Sequence, residues 1–98
     1  MAVTVPELSD ILEQEFTVTN KLGIHARVAA QIVKVAGSFD AEVWLSRGNS
    51  CVNGKNILDL MTLRCPFGSS VRICARGRDA KEVLRALANL FRSKFGEA

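Results

Sequence analysis

From Arg27 to Phe39 apolar residues recur at the spacing of one helix face. Val28, Ile32, Val35 and Phe39 form a stripe that Ala29, Val33 and Ala36 widen, while Arg27, Gln31, Lys34 and Ser38 fall on the opposite side. The pattern predicts an amphipathic helix, with Gly37 as its terminator. A second helical stripe carries Val83, Leu84, Leu87, Leu90 and Phe91, with Arg92 and Lys94 near its end and Gly96 as a stop. Asp79 and Glu82 precede it at capping-box spacing. Between the two, ILDLMTL reads as a shorter helix that Asn56 caps, with Asp59 in its first turn.

Elsewhere the period is two. EFTVT (15–19) alternates Phe16 and Val18 with polar neighbours, and AEVWLSR (41–47) sets Val43 and Leu45 against Glu42, Trp44 and Ser46. RGNS is a turn, and CVNGK is a short return strand. A further strand follows PFGSS, with Val71, Ile73 and Ala75 on one side and Arg72, Cys74 and Arg76 on the other. The order is strand, helix, strand, strand, helix, strand, helix, and three of the strands are apolar on one face only. This predicts an α+β fold, a mostly antiparallel sheet with helices on one side and water on the other. Residues 1–14 read as an N-terminal extension to a domain of 15–98. Within the extension Leu8, Ile11 and Leu12 fit a turn or two of amphipathic helix after Pro6.

At 98 residues the chain has room for one domain, and its 48% hydrophobic and 23% charged content is ordinary for a soluble globular protein. A net charge of +3 favours acidic partner surfaces but is too small to argue for nucleic acid. Three cysteines (Cys51, Cys65, Cys74), no CxxC pair and one histidine argue against a zinc site and a disulfide scaffold; buried thiols in a reducing cytosol are expected. The N-terminus lacks the basic and apolar regions of a signal peptide, and no apolar run approaches the ~20 residues needed to span a bilayer. A cytoplasmic protein with no membrane insertion, metal or cofactor is the expectation.

The one histidine, His25, stands just before the helix predicted from Arg27. None of Lys21, Leu22, Gly23, Ile24 or His25 is a good side-chain cap. An uncapped start offers free N–H groups and the positive end of the helix dipole to an external anion, and Arg27 on the first turn can bond phosphate oxygens. The helix end also favours the neutral, nucleophilic imidazole. The alternative is a plain surface histidine beside a solvated arginine. With no carboxylate near it in sequence to orient the ring, His25 is poor material for a hydrolase. The phosphate-site reading requires the ring to stay out of the interior and the space beneath it to be open.

The string GIHARVAA resembles the active-site motif of the HPr family, the histidine-containing phosphocarriers of the bacterial phosphoenolpyruvate-dependent phosphotransferase system. The resemblance covers roughly residues 15–97, including VNGKNILDLMTL and ALANLFRSKFGE. It implies an open-faced β-sandwich, a four-stranded antiparallel sheet with three helices packed on one face. It implies too that His25 accepts a phosphoryl group on Nδ1 from enzyme I and passes it to a IIA component. The protein would then be a carrier with a phosphohistidine intermediate rather than a free-standing catalyst. Arg27 would balance the phosphoryl charge beside the backbone N–H groups of Ala26 and Arg27.

Two positions depart from the family pattern. Val28 replaces the usual proline after the arginine, implying a looser loop start and leaving its effect on transfer rate open. Asn56 stands where many members carry a regulatory serine, in the context Lys55-Asn56-Ile57, so the cap survives and the phosphorylatable hydroxyl does not.

The short helix has an apolar arc about 220° wide, much more than the roughly 100° that facing a core requires. Leu60 and Leu63 fall on one side and Ile57, Leu58 and Met61 on an adjoining one; the excess should be exposed as a docking face. By resemblance Ile57, Leu58 and Met61 match residues that meet enzyme I and IIA proteins, and Arg27 and Lys34 would form a basic rim. The protein is expected to act as a monomer. Two other readings stay open. One is a regulatory, nitrogen-type phosphocarrier with the same site. The other is a nucleic-acid-binding sheet using Trp44, Arg47, Arg72 and Arg76, against which one aromatic is too few.

Overall fold

The computed structural model describes residues 10–98. Its strands are β1 (Ile11–Thr17), β2 (Glu42–Arg47), β3 (Ser50–Asn53) and β4 (Ser70–Arg76). The helices are α1 (Ala26–Gly37), α2 (Ile57–Thr62) and α3 (Ala80–Arg92), and a short 3-10 turn follows at Lys94–Gly96. The sheet order is β1-β4-β2-β3 with every neighbouring pair antiparallel. This is the expected open-faced sandwich.

Alternation sets the two faces. Val43 and Leu45 of β2 and Val71, Ile73 and Ala75 of β4 are buried against the helices. They meet Val28, Ala29, Ile32 and Ala36 of α1 and Val83, Leu84, Leu87 and Phe91 of α3 in one core. The other face carries Trp44 across from Cys74 and Asn53. Its arginines are engaged: Arg76 bonds Glu42 at 2.6 and 2.9 Å and lies 5.6 Å over the Trp44 ring, and Arg72 faces Glu13 at 3.5 Å. Arg47, expected on this face, instead shares the register of Val43 and Leu45 and donates to the Arg64 carbonyl at 2.7 Å. Arginines held this way by protein groups make a poor platform for nucleic acid.

Several local expectations need correction. The first strand begins at Ile11 rather than Glu15 and ends at Thr17. Ile11 and Leu12, read as part of a helical turn, are therefore in the sheet, where Leu12 pairs with Ala75; Leu8 lies outside the described residues. The position facing Ile73 is Gln14, a polar residue on an edge strand, which hid the alternation. Gly37 is the last residue of α1, as expected, but without a left-handed turn: Ser38 closes the helix with φ −83° and its N–H on the Val35 carbonyl. Asp79 does not cap α3 with its side chain: Oδ2 accepts the Asp40 N–H at 2.7 Å instead. Of the cysteines only Cys65 is buried; Cys51 is exposed on β3 and Cys74 is half-buried on the open face. Val28, at the place of the family proline, has its side chain fully buried in the core.

Candidate functional site

The loop from β1 to α1 is shaped by Asn20 and Gly23. Gly23 N–H donates to the Asn20 carbonyl at 3.1 Å, and Gly23 takes φ +70°. No side chain fits there: a Cβ on Gly23 would lie 2.4 Å from the Cys65 carbonyl oxygen and 2.9 Å from Pro66 Cα. The close approach lets Ile24 N–H bond the Cys65 carbonyl at 2.9 Å, fixing the loop to the chain leaving α2. His25 follows as the N-cap of α1, in extended backbone and with no side-chain cap bond. Its carbonyl accepts the Ala29 N–H, and the N–H groups of Ala26, Arg27 and Val28 have no acceptor among the described residues. The helix start is thus open, as the lack of a capping residue implied.

The ring is neither buried nor alone. Its side chain is 30% exposed, and Nε2 lies 2.9 and 3.0 Å from the two carboxylate oxygens of Glu97. A carboxylate can only accept, so the proton sits on Nε2 and the neutral ring keeps its lone pair on Nδ1. Glu97 also accepts from Arg27 Nη2 at 2.6 Å and Asn20 Nδ2 at 2.8 Å. These bonds, Asn20's first and then those of His25 and Arg27, hold its carboxyl at about 2 rather than the usual 4.5. The expectation that no carboxylate orients the ring is overturned. The carboxylate does reach the imidazole, but on the Nε2 side, and it takes none of the open α1 N–H groups. Arg27, expected to be free for an anion, is already bonded to it.

Glu97 is 72 residues from His25, and nothing in the sequence pattern near the histidine announces it. The chain is turned back after α3 by left-handed Lys94 (φ +55°) and Phe95 (φ +58°), and Phe95 is buried with its ring 4.8 Å from that of Phe91. The Ala98 carbonyl oxygen then accepts the Lys21 N–H at 2.8 Å, so this terminal strap lies along the loop that carries His25.

On its other side His25 borders an open cleft of about 380 Å³, shared with Leu22, Ile24, Arg47, Arg64, Cys65 and Pro66. Arg64 was not singled out in the sequence, and Arg47 was read only as a member of a nucleic-acid-binding sheet face, not as a neighbour of His25. Neither has a carboxylate partner among the described residues, and Arg64 holds φ +52°. Beyond it, α2 packs beside α1 with Leu60 and the following Leu63 buried; Ile57 is 37%, Leu58 75% and Met61 41% exposed. The apolar excess faces solvent, as its width implied. Asn56 Oδ1 accepts the Asp59 N–H at 3.0 Å and caps α2. Lys34 is exposed near the far end of α1, roughly 13 Å along the axis from His25 at 1.5 Å per residue.

Because pH acts on Glu97 directly, its contribution can be measured. A carboxyl at about 2 in the fold against 4.5 outside contributes stability that is complete above pH 4.5 and is lost as pH falls through about 2. Urea unfolding between pH 5 and 2 is therefore expected to show a shallower loss of stability in Glu97→Gln than in the parent.

The site is thus a single, partly exposed imidazole at an open helix start, with Nε2 held by Glu97 and a cleft open beside the ring. The comparisons place it further. The family model described as "PTS HPr component phosphorylation site" matches residues 12–93. The chain is 39% identical over 87 residues to the phosphocarrier protein HPr of Neisseria meningitidis serogroup B, covering 89% of this chain and 98% of the relative. It is 36% identical over 87 residues to the phosphocarrier protein NPr of Shewanella violacea, covering 89% and 96%. The crystal structure of HPr-C-His from Thermoanaerobacter tengcongensis superposes with a TM-score of 0.85 at 39% identity, covering 89% of this chain and 98% of that one. The chain belongs to the HPr family of phosphotransferase-system phosphocarriers.

Proposed function

We propose that the protein carries a phosphoryl group on Nδ1 of His25, received from phosphorylated enzyme I and passed to a IIA component of a sugar uptake system. The observation that carries this reading is the Glu97 bond to Nε2, which leaves Nδ1 as the nucleophilic nitrogen. In the transfer the Nδ1 lone pair forms the P–N bond while the bond from phosphorus to the donor breaks. Nε2 keeps its proton, so the ring becomes cationic and the Glu97 carboxylate offsets that charge. The open N–H groups of Ala26 and Arg27 receive the phosphoryl oxygens, and the Arg27 guanidinium turns to them from Glu97. Delivery to the next carrier regenerates the neutral ring.

The test is incubation with enzyme I and labelled phosphoenolpyruvate. The expected product is a protein-bound label that is acid-labile and base-stable; no uptake would overturn the reading. The resemblance to NPr supports a second assignment with the same chemistry, in which the acceptor is a nitrogen-type IIA protein and the role is regulatory. Offering the phosphorylated protein to purified IIA proteins of both kinds separates them by rate.

Docking is assigned to Ile57, Leu58 and Met61, with Arg27 and Lys34 as a basic rim, and the carrier works as a monomer in the cytoplasm. Asn56 gives no serine-type switch. Because Leu58 is exposed, Leu58→Asp is expected to leave stability within about 0.5 kcal/mol of the parent. The same change should raise the KM for the carrier in the enzyme I reaction about tenfold, or about 1.4 kcal/mol. If Leu58→Asp unfolds the domain, the exposed-face assignment is wrong.

A further inference from the structure

Asn20 is fully buried, yet its side-chain oxygen has no partner among the described residues. Nearly all buried polar atoms in folded proteins are bonded, so a half-satisfied amide calls for a reason. Both N–H groups of Nδ2 are used, one on the Gly23 carbonyl at 2.7 Å and the other on Glu97 Oε1 at 2.8 Å. Both neighbours are acceptors, so turning the amide over would set oxygen against oxygen, and the orientation is fixed. The Gly23 carbonyl also accepts the backbone N–H of His25 at 3.1 Å. One amide therefore grips the backbone that leads into His25 and the carboxylate that bonds the His25 ring.

A residue needed only to shape the loop would require the Gly23 bond and nothing more. The second bond reaches to the other end of the chain, 77 residues away, and is the largest of the influences that keep Glu97 ionised. A serine could serve one acceptor with its single hydroxyl proton; a carboxamide is the small neutral group that donates to two. The orphaned oxygen is the cost of having both.

We propose that Asn20 is a positioning residue of the His25 site: it holds the Glu97 carboxylate on Nε2 and so keeps Nδ1 free of its proton for the transfer. The proposal rests on the reading of His25 as phosphoryl acceptor and adds a residue that touches neither ring nor phosphoryl group.

With one histidine in the chain, nitrogen-15 labelling of histidine gives a single pair of ring signals, which report the tautomer directly. In the parent they should show Nε2 protonated and Nδ1 bare. Asn20→Ala is expected to mix the two tautomers and to slow phosphoryl uptake about tenfold, with Glu97→Gln slowing it by a similar factor. In the Asn20→Ala/Glu97→Gln double variant the losses should not multiply, because Asn20 acts through Glu97. Should Asn20→Ala fail to fold, Asn20→Ser keeps one donor for the loop and takes its place. Unchanged ring signals in a folded Asn20 variant, or losses that multiply in full, would overturn the proposal. If the parent takes up no phosphoryl group, the functional reading fails, while the ring signals still decide what Asn20 does.

Discussion

A His25→Ala variant is expected to take up no phosphoryl group at all while folding as the parent does. The chain has no second histidine to produce acid-labile, base-stable label. The thiols of Cys65 and Cys74 are poor substitutes, because burial pushes both up, away from the reactive thiolate. The ring is partly exposed and outside the core, and truncating it leaves Glu97 with its Asn20 and Arg27 bonds. The loss should therefore appear in the transfer assay and hardly in a urea melt. Acid-labile label retained by a folded His25→Ala protein would remove the assignment.

The second large effect is structural and reaches the same site. Gly23→Ala puts a side chain where the backbone is left-handed, a cost of roughly 1 kcal/mol. It also drives a methyl into the Cys65 carbonyl and Pro66, both backbone, so neither can swing aside; overpacking of this kind costs about 1–3 kcal/mol. The expected loss is about 2–4 kcal/mol in urea unfolding, with slower phosphoryl uptake because the loop holding His25 is levered off the chain beyond α2. Gly37→Ala is the control: its φ is not left-handed and, apart from its own stretch of helix, no atom of the described residues lies within 4 Å of the added carbon, so its stability should stay within about 1 kcal/mol of the parent or rise. Equal stability of the two variants would show that the Gly23 approach is not a real constraint.

How far these properties could be read in advance depended on distance along the chain. The faces of α1, α3, β2 and β4 follow from periods that nearest neighbours enforce, so Val28, Ile32, Val71 and Ile73 could be placed without coordinates. The beginning of β1 could not, because Gln14 occupies an inward register position at an edge and breaks the alternation. Asp79 sat at a capping spacing, but the competing Asp40 N–H lies 39 residues away. The site divides the same way. The uncapped helix start and Arg27 are local, and His25 could be singled out from them. Glu97 meets His25 and Asn20 across the turn after α3 that Phe95 anchors, a contact with no nearby sequence pattern to mark it. The apolar width of α2 was local again, and its exposed residues are those the arc leaves over.

The lone tryptophan offers a practical return on the one-sided build of the sheet. Trp44 sits half-covered beneath Arg76, on the side of the strands opposite the helices. Its fluorescence should thus respond when the strands come apart and stay quiet when a protein settles against α2. One native chromophore then gauges folding for each variant above without a dye, and its silence during titration with a partner separates true binding from disruption of the fold.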